Sequence, residues 1–382
     1  PQLLGLRNGP PVIRFHGERI PAWLVTGYEQ TRQVLRDERF SFLAPPEVTL
    51  PRPPGRHLDS DDPAHARLRQ MLAGEFTAKR MRQLRPWIEK TVTQQLNDME
   101  RAGPPADLVS SFAQPVVSLV TCKLLGIPYP DFAGFERQRV LLSDEFANYL
   151  ADLVARRRAE PGDGILGTLL RKYGSELTDQ DTVNLLRLLV RVGRQPVIDV
   201  LTLGTALLLC NPRQLALLRD QPAVVDTAVE EITRYLTIGH RAPRTARTDV
   251  ALGGEQIKAG DWVLCALVVA NRSSALGADV DTLDLTRKPN RHLAFGHGIH
   301  HCIGAPLARM QMSIAYPALL RRFPSLRLAV PVEELPFPEF SYLYNLSSLP
   351  VTWDQNDKPA VPHVDVENSP LQTVTYVSNL NR

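Results

Sequence analysis

The densest chemistry in the chain is the stretch HLAFGHGIHHCIGAPLARMQ, residues 292–311. Gly296 and Gly298 precede Cys302 and Gly304 follows it, which permits a tight loop with exposed backbone, and a helix begins just beyond. A thiolate placed there lies near a helix N-terminus, whose amides favour negative charge and lower a thiol pKa. Such a sulfur is a good soft ligand for iron. Two other readings of the same residues stand beside it. One is a buried free cysteine. The other is zinc held by His297, His300, His301 and Cys302, although donors so crowded rarely close a tetrahedron.

A second chemically unusual place is LLVRVGRQPVIDVLTLG, residues 188–204, where apolar residues keep helical spacing on both sides of Pro196. An interior proline removes one backbone hydrogen bond and crowds the carbonyl four residues earlier, at a cost of ~3 kcal/mol. The carbonyl of Val192 is the one left without its amide partner. A distortion is therefore expected at the midpoint of a helix running from about Asp181 to Leu209, with Thr178 as its N-cap and Asp181 in the capping-box position.

The elements that must position these residues can be read outward from them. PVIRFHG and PAWLVTG are short strands, YEQTRQVLRD is a helix, and the proline-rich residues 43–57 form a loop. Helical patterns follow over 63–103, 107–125 and 135–158, then 211–219 and 223–235. A strand-rich stretch, VALGGEQIKAGDWVLCALVVA, precedes the cysteine loop, and a helix spans 305–322. The chain is thus mainly α with small β-sheets (α+β), and one domain is expected over residues 1–353. Residues 354–382 read as a C-terminal extension, flexible or docked, in which LQTVTYVSNL could form a strand.

Composition narrows the function classes. Of the 382 residues 43% are hydrophobic and 22% charged, ordinary for a globular protein with a large core. The net charge is +3 with scattered arginines, so neither nucleic acid nor a membrane surface is expected as partner. Cys122, Cys210, Cys265 and Cys302 lie far apart with no CxxC pair, which suits a reducing interior and argues against a disulfide framework. The sequence contains no signal peptide and no run of 18 apolar residues, and a cytoplasmic location is the expectation.

Phe295, Gly298, Cys302 and Gly304 meet the pattern F-x-x-G-x-x-x-C-x-G, and in this the sequence resembles the cytochromes P450 of the soluble bacterial type. EEITR matches the family's E-x-x-R helix through Glu231 and Arg234. Arg287, in LDLTRKPNRHLAFG, matches the second arginine of a buried network that holds the cysteine loop. DDPAHARLR resembles the H-x-x-x-R helix through His65 and Arg69, and PRTARTDVALGG supplies Arg244 in the haem-facing strand. The resemblance runs from about Pro10 to Trp353 and implies the P450 fold. It also implies a haem b (iron protoporphyrin IX) ligated by Cys302, with His65, Arg69, Arg244 and His300 toward its propionates. Thiolate ligation favours O–O cleavage, hence oxidation of an unactivated carbon.

In this family the central helix carries A/G-G-x-D/E-T. Counting back from the CNP at 210–212 places Val192, Gly193 and Arg194 on the first three positions, Gln195 on the acid and Pro196 on the alcohol. Neither proton-handling group is then present. The resemblance implies a monooxygenase or an oxidative cyclisation or coupling enzyme in which a group of the substrate organises the proton path. A peroxide-fed peroxygenase is the alternative, since some such members have an Arg–Pro pair here. Arg194 and Pro196 are separated by Gln195, however, which puts them about 200° apart around the helix. A non-catalytic scaffold is the third reading. The expected substrate is a small organic molecule lined by Leu189, Thr237, Ile238, Gly239 and Leu346. It is reached from the loop before Asp62, the turn LTIGH and a hairpin at 344–348. Electrons are expected from a ferredoxin or flavodoxin-type donor, with Arg69, Arg80 and Arg309 contributing a basic patch.

Overall fold

The computed structural model describes residues 5–16, 21–43, 58, 60–137, 141, 143–338 and 343–354. The extension and its expected strand lie outside these residues. In chain order the elements are β1 (Val12–His16), β2 (Pro21–Val25), α1 (Tyr28–Arg36), β3 (Phe40–Ser41), α2 (Ala64–Ala73), α3 (Ala78–Ala102) and β4 (Ala106–Asp107). A π-helical turn at Val109–Ala113 leads into α4 (Gln114–Leu125), then α5 (Tyr129–Arg137), α6 (Asp144–Ala159), α7 (Gly164–Tyr173), α8 (Asp179–Leu209), α9 (Pro212–Asp220) and α10 (Val225–Leu236). The remainder is β5 (Ala242–Ala246), β6 (Val250–Leu252), β7 (Glu255–Ile257), β8 (Trp262–Cys265), α11 (Leu267–Ala270), α12 (Ala305–Arg322), β9 (Arg327–Leu328) and β10 (Pro350–Thr352).

Helices form the bulk of the molecule, and the largest sheet has the order β1-β2-β8-β5-β3, parallel only between β2 and β8. The apolar runs in PVIRFHG and PAWLVTG pair antiparallel, and β2, between β1 and β8, is the more deeply buried of the two. The helical stretches expected over 63–103 and 135–158 are broken, between α2 and α3 and between α5 and α6, and three further features depart from the pattern reading. Helix α7 goes beyond it, because GILGTLLRKY offers only one short apolar stripe. ALVVA, strand-like in sequence, turns into α11 directly after Cys265, where an apolar run alone does not separate strand from helix. Residues 343–349 form an irregular loop rather than a hairpin, and Tyr344 pairs its amide with the Ile238 carbonyl, not with a neighbouring strand.

Helix α8 runs through the middle of the bundle. The Thr178 hydroxyl accepts from the Asp181 amide and the Asp181 carboxylate accepts from the Thr178 amide, both at 3.0 Å. The helix continues unbroken through Pro196. No break appears at the expected distortion: the buried residues that follow the proline, Val197 through Leu208, belong to a helix packed against α4, α6 and α12, while Arg191, Val192 and Gly193 before it stay exposed. Tyr316 of α12 donates to the Val200 carbonyl at 2.5 Å, and a Cβ at Gly204 would meet its oxygen at 2.0 Å, so glycine allows the two helices to cross closely. α8 is the one helix among the described residues long and apolar enough to cross a membrane, and it lies mostly buried as the core helix of the bundle.

Candidate active site

The cysteine loop is built by backbone geometry. Gly298 has φ +73°, and a Cβ there would lie 2.4 Å from the carbonyl of Leu35, so glycine is needed where the loop meets the end of α1. The Cys302 amide donates to the Phe295 carbonyl at 2.8 Å, closing the loop just ahead of α12. Cys122, Cys210 and Cys265 are buried, whereas Cys302 is exposed. Crowding by the surrounding protein pushes its thiol up, against the pull of the Gly304 and Ala305 amides and of Arg69 and Arg309. Gly304 leaves ordinary room beside the sulfur, which a Cβ there would meet at 3.9 Å. These amide donors suit an anionic sulfur, and a bound metal would supply the remaining driving force for deprotonation.

Behind the loop, Arg309 lies 4.5 Å over the Phe295 ring and pairs with Glu230 at 2.6 Å, and His292 reaches the same carboxylate at 3.1 Å. Burial alone would raise Glu230, but these two donors hold it at about 2. Arg69 of α2 donates to the carbonyl of His301 at 2.6 Å and so fastens the loop next to the sulfur. Arg80 is paired with Glu75 at 3.2 Å. The expected basic patch of Arg69, Arg80 and Arg309 is therefore corrected: two of its three charges are spent on carboxylates.

Four side chains that lie far apart in sequence gather beside this loop. The His65 and His300 rings are 4.0 Å apart, Phe42 is 4.7 Å from His300, and the Arg244 guanidinium lies 4.8 Å over Phe42. Burial lowers both histidines, His300 to about 4 with His65 and Arg244 adding to the effect. Arg244 is only 4% exposed, and it donates to the Pro243 carbonyl at 2.7 Å. Asp61, the carboxylate that acts on it, is taken by Arg247 at 2.5 Å. Among the described residues Arg244 has no carboxylate of its own, and a guanidinium so buried is costly unless an anion joins it. This donor set fits the propionates of a porphyrin whose iron meets Cys302. Zinc is not supported, since no group of three or more His, Cys, Asp or Glu is arranged for a metal among the described residues.

Glu231, Arg234 and Arg287 form one buried cluster. Arg234 makes two bonds of 2.8 Å to the Glu231 carboxylate, and Arg287 a third of 3.1 Å. Asn290 and the Asp284 amide complete the acceptor's shell, while Arg234 also donates to the Asn271 and Val280 carbonyls. The network ties α10 to the loop that leads into the cysteine loop. Sequence reasoning missed Asn290 and Asn271, whose Oδ1 accepts from the Leu293 amide at 2.7 Å. Nothing in the local pattern distinguishes them from loop asparagines.

On α8, Arg191, Val192 and Gly193 are exposed, Val192 by 49%, in the middle of an otherwise packed helix. Arg194 turns away from that face. It pairs with buried Glu136 of α5 at 2.6 Å and donates to Ser118 of α4 at 3.1 Å. Arg194, the arginine on which the peroxygenase alternative rests, is therefore not a free receptor: its charge is already met. Gln195 is not free either, because its Nε2 donates to Asp199 at 2.7 Å. Asp199 itself escaped the sequence reading, though a carboxylate four residues after Gln195 shares its helix face. The hydroxyls of Thr202 and Thr205 are engaged within the helix, donating to carbonyls of their own helix at 2.9 and 2.7 Å.

Of the expected substrate contacts, Thr237 is corrected. It is fully buried, with its hydroxyl donating to the Arg234 carbonyl at 2.6 Å and accepting from Asn271 at 2.9 Å. It braces the turn after α10 instead of lining a pocket. Leu189, Ile238 and Leu346 are buried apolar residues of one core, and Gly239 stands next to them with open space at its Cα. Much of the loop before Asp62 lies outside the described residues.

Comparison with known proteins points the same way. A family profile described as Cytochrome P450 matches residues 219–341. Cytochrome P450-SU2 of Streptomyces griseolus is 43% identical over 87% of this chain and 87% of its own. Pentalenic acid synthase of Streptomyces avermitilis is 40% identical over 91% of this chain and 92% of its own. Among solved structures, P450 StaH from glycopeptide antibiotic A47934 biosynthesis superimposes with a TM-score of 0.83 at 40% identity, covering 91% of this chain and 96% of that one.

Proposed function

The chain belongs to the cytochrome P450 family and is a P450 monooxygenase-type oxidoreductase, and from that premise we propose that it tailors a natural product by hydroxylation or oxidative ring closure, with the substrate completing the proton path. A haem held by a thiolate would supply the activation of dioxygen and the cleavage of its O–O bond. The haem domain is residues 1–353, working in the cytoplasm with a ferredoxin or flavodoxin-type donor. Cys302 ligates the iron, while Arg244, His65, His300 and Arg69 face the propionate side. The observation that carries this reading is the pairing of an exposed Cys302 at the start of α12 with the uncompensated Arg244.

Natural-product tailoring is supported by the relatives, one named for pentalenic acid and another taken from glycopeptide antibiotic biosynthesis. Substrate assistance is supported on α8, where counting back from CNP by the family pattern puts Gln195 and Pro196 on the positions of acid and alcohol, and where both nearby threonine hydroxyls are engaged. The peroxygenase reading loses its receptor, because Arg194 is held by Glu136. Turnover decides between them. NAD(P)H with a ferredoxin and its reductase should support oxidation of compounds found by spectral screening, and hydrogen peroxide alone should not. The reverse result overturns the proposal.

A further inference from the structure

Asp199 is a carboxylic acid in the wrong place for a structural residue. It is 1% exposed and sits on the central helix among Val197, Ile198, Val200 and Leu201. One oxygen accepts from Gln195 at 2.7 Å, while the other has no hydrogen-bond partner. Among the described residues no cation pairs with it. Arg194, the charged group that acts on it, is neutralised by Glu136 of α5. Besides Arg194, no charged group on the described elements acts on Asp199: Ser118 of α4 donates to Glu136, Arg158 of α6 is paired with Asp179, Tyr316 of α12 donates to Val200, and Glu231 and Arg234 of α10 are spent on each other. Buried carboxylates without a partner are expensive, and apolar residues would pack this position at lower cost.

Resting on the P450 reading above, we propose that Asp199 is the acid–base group of this helix, set one turn beyond the usual acid position and oriented by Gln195. Asp199 lies seven residues after Val192 and three after Pro196, on the same side of the helix as the opening at Val192 but two turns further along, where it is closed from solvent. The proline frees the Val192 carbonyl on that same face. A donor between the two, either a water or a hydroxyl or amine of the substrate, finds an acceptor at each end. Burial raises the Asp199 carboxyl to about 7, with Gln195 and Arg194 opposing. The group therefore gives up and regains a proton near neutrality, as a general acid–base group must. Each proton passed to reduced oxygen leaves a carboxylate, which solvent reprotonates before the next cycle. Asp199 is assigned here as a positioning and proton-storing residue, not as a ligand.

The test uses the haem-loaded protein and Asp199→Asn, which preserves shape and the bond to Gln195. In infrared difference spectra, wild type should show a protonated-carboxyl band that disappears between roughly pH 6 and 8, and the Asn variant should lack it. Gln195→Leu removes a donor to the carboxylate and should move that midpoint upward. With NAD(P)H, a ferredoxin and its reductase in the absence of any added organic compound, oxygen goes either to hydrogen peroxide (two electrons and two protons) or to water (four of each). The peroxide share should rise in the Asn variant and lose its dependence on pH. The same share supplemented with the strongest-binding screened phenol or amine separates a water-borne from a substrate-borne donor, since only the latter restores the wild-type partition. Absence of a titrating band, or an unchanged peroxide share in a variant with a normal carbonyl-complex spectrum, overturns the assignment. Turnover by peroxide alone instead overturns the functional reading and this inference with it, while the infrared band would persist.

Discussion

At the residue scale the site is defined by which charges are met and which are not. Arg194 and Arg309 have carboxylates and cannot be counted as free receptors, whereas Arg244 is buried without one among the described residues. Residue identity alone could not separate these cases, because the partners Glu136 and Glu230 lie 58 and 79 positions away. Cys302 was legible from its glycines, since loop geometry and helix polarity are local properties. Asp199 was not, because its significance lies in an unmet oxygen, which only packing reveals. A direct consequence concerns the positions Gln195 and Pro196. Installing the family's acid and alcohol together, Gln195→Glu with Pro196→Thr, places two carboxylates at i,i+4 and sets the introduced acid against Asp199. The account expects no gain in product formed per NAD(P)H consumed. A large gain would mean that the native helix is merely impaired.

At the element scale, α8 shows how far periodicity carries. Its cap, span and proline were all readable from spacing, and the Thr178–Asp181 box forms as the pattern requires. The continuity of the helix was not, because a proline's local cost of ~3 kcal/mol is outweighed by burial along the turns that follow it, Val197 through Leu208. The reverse holds for α11, where an apolar run carries no information on period. Residues 277–297, between α11 and the cysteine loop, form no helix or strand and depend on side chains instead. Glu231→Gln should show this. The substitution leaves Arg234 and Arg287 with one neutral acceptor inside the core, and breaking such a buried pair costs about 3–5 kcal/mol. Denaturant unfolding of the haem-loaded protein should report a loss of that order, together with weaker haem retention. A change within experimental error would show that Asn290 and the backbone carbonyls hold the loop without the acid.

At the scale of the whole molecule, the mainly helical architecture with small sheets follows from pattern and from motif order, and solved relatives share it closely. The sheet order β1-β2-β8-β5-β3 brings Arg244 on β5 to the same side as Phe42 beyond β3 and His65 on α2. That convergence depends on long-range pairing, which no local window contains. The pocket for the organic substrate was the least legible part. Thr237 proved to be a brace, and Leu189, Ile238 and Leu346 cannot be told from core residues by type. All of these elements converge on the proposed arrangement, in which Cys302 would present its sulfur to a porphyrin held by Arg244 and the paired histidines. The reduced, haem-loaded protein exposed to carbon monoxide tests it most directly. The account predicts the strongly red-shifted Soret band of a thiolate trans to the gas, abolished in Cys302→Ala. A spectrum of the histidine-ligated or neutral-thiol type in the wild-type protein, or one unaltered by that substitution, would contradict it.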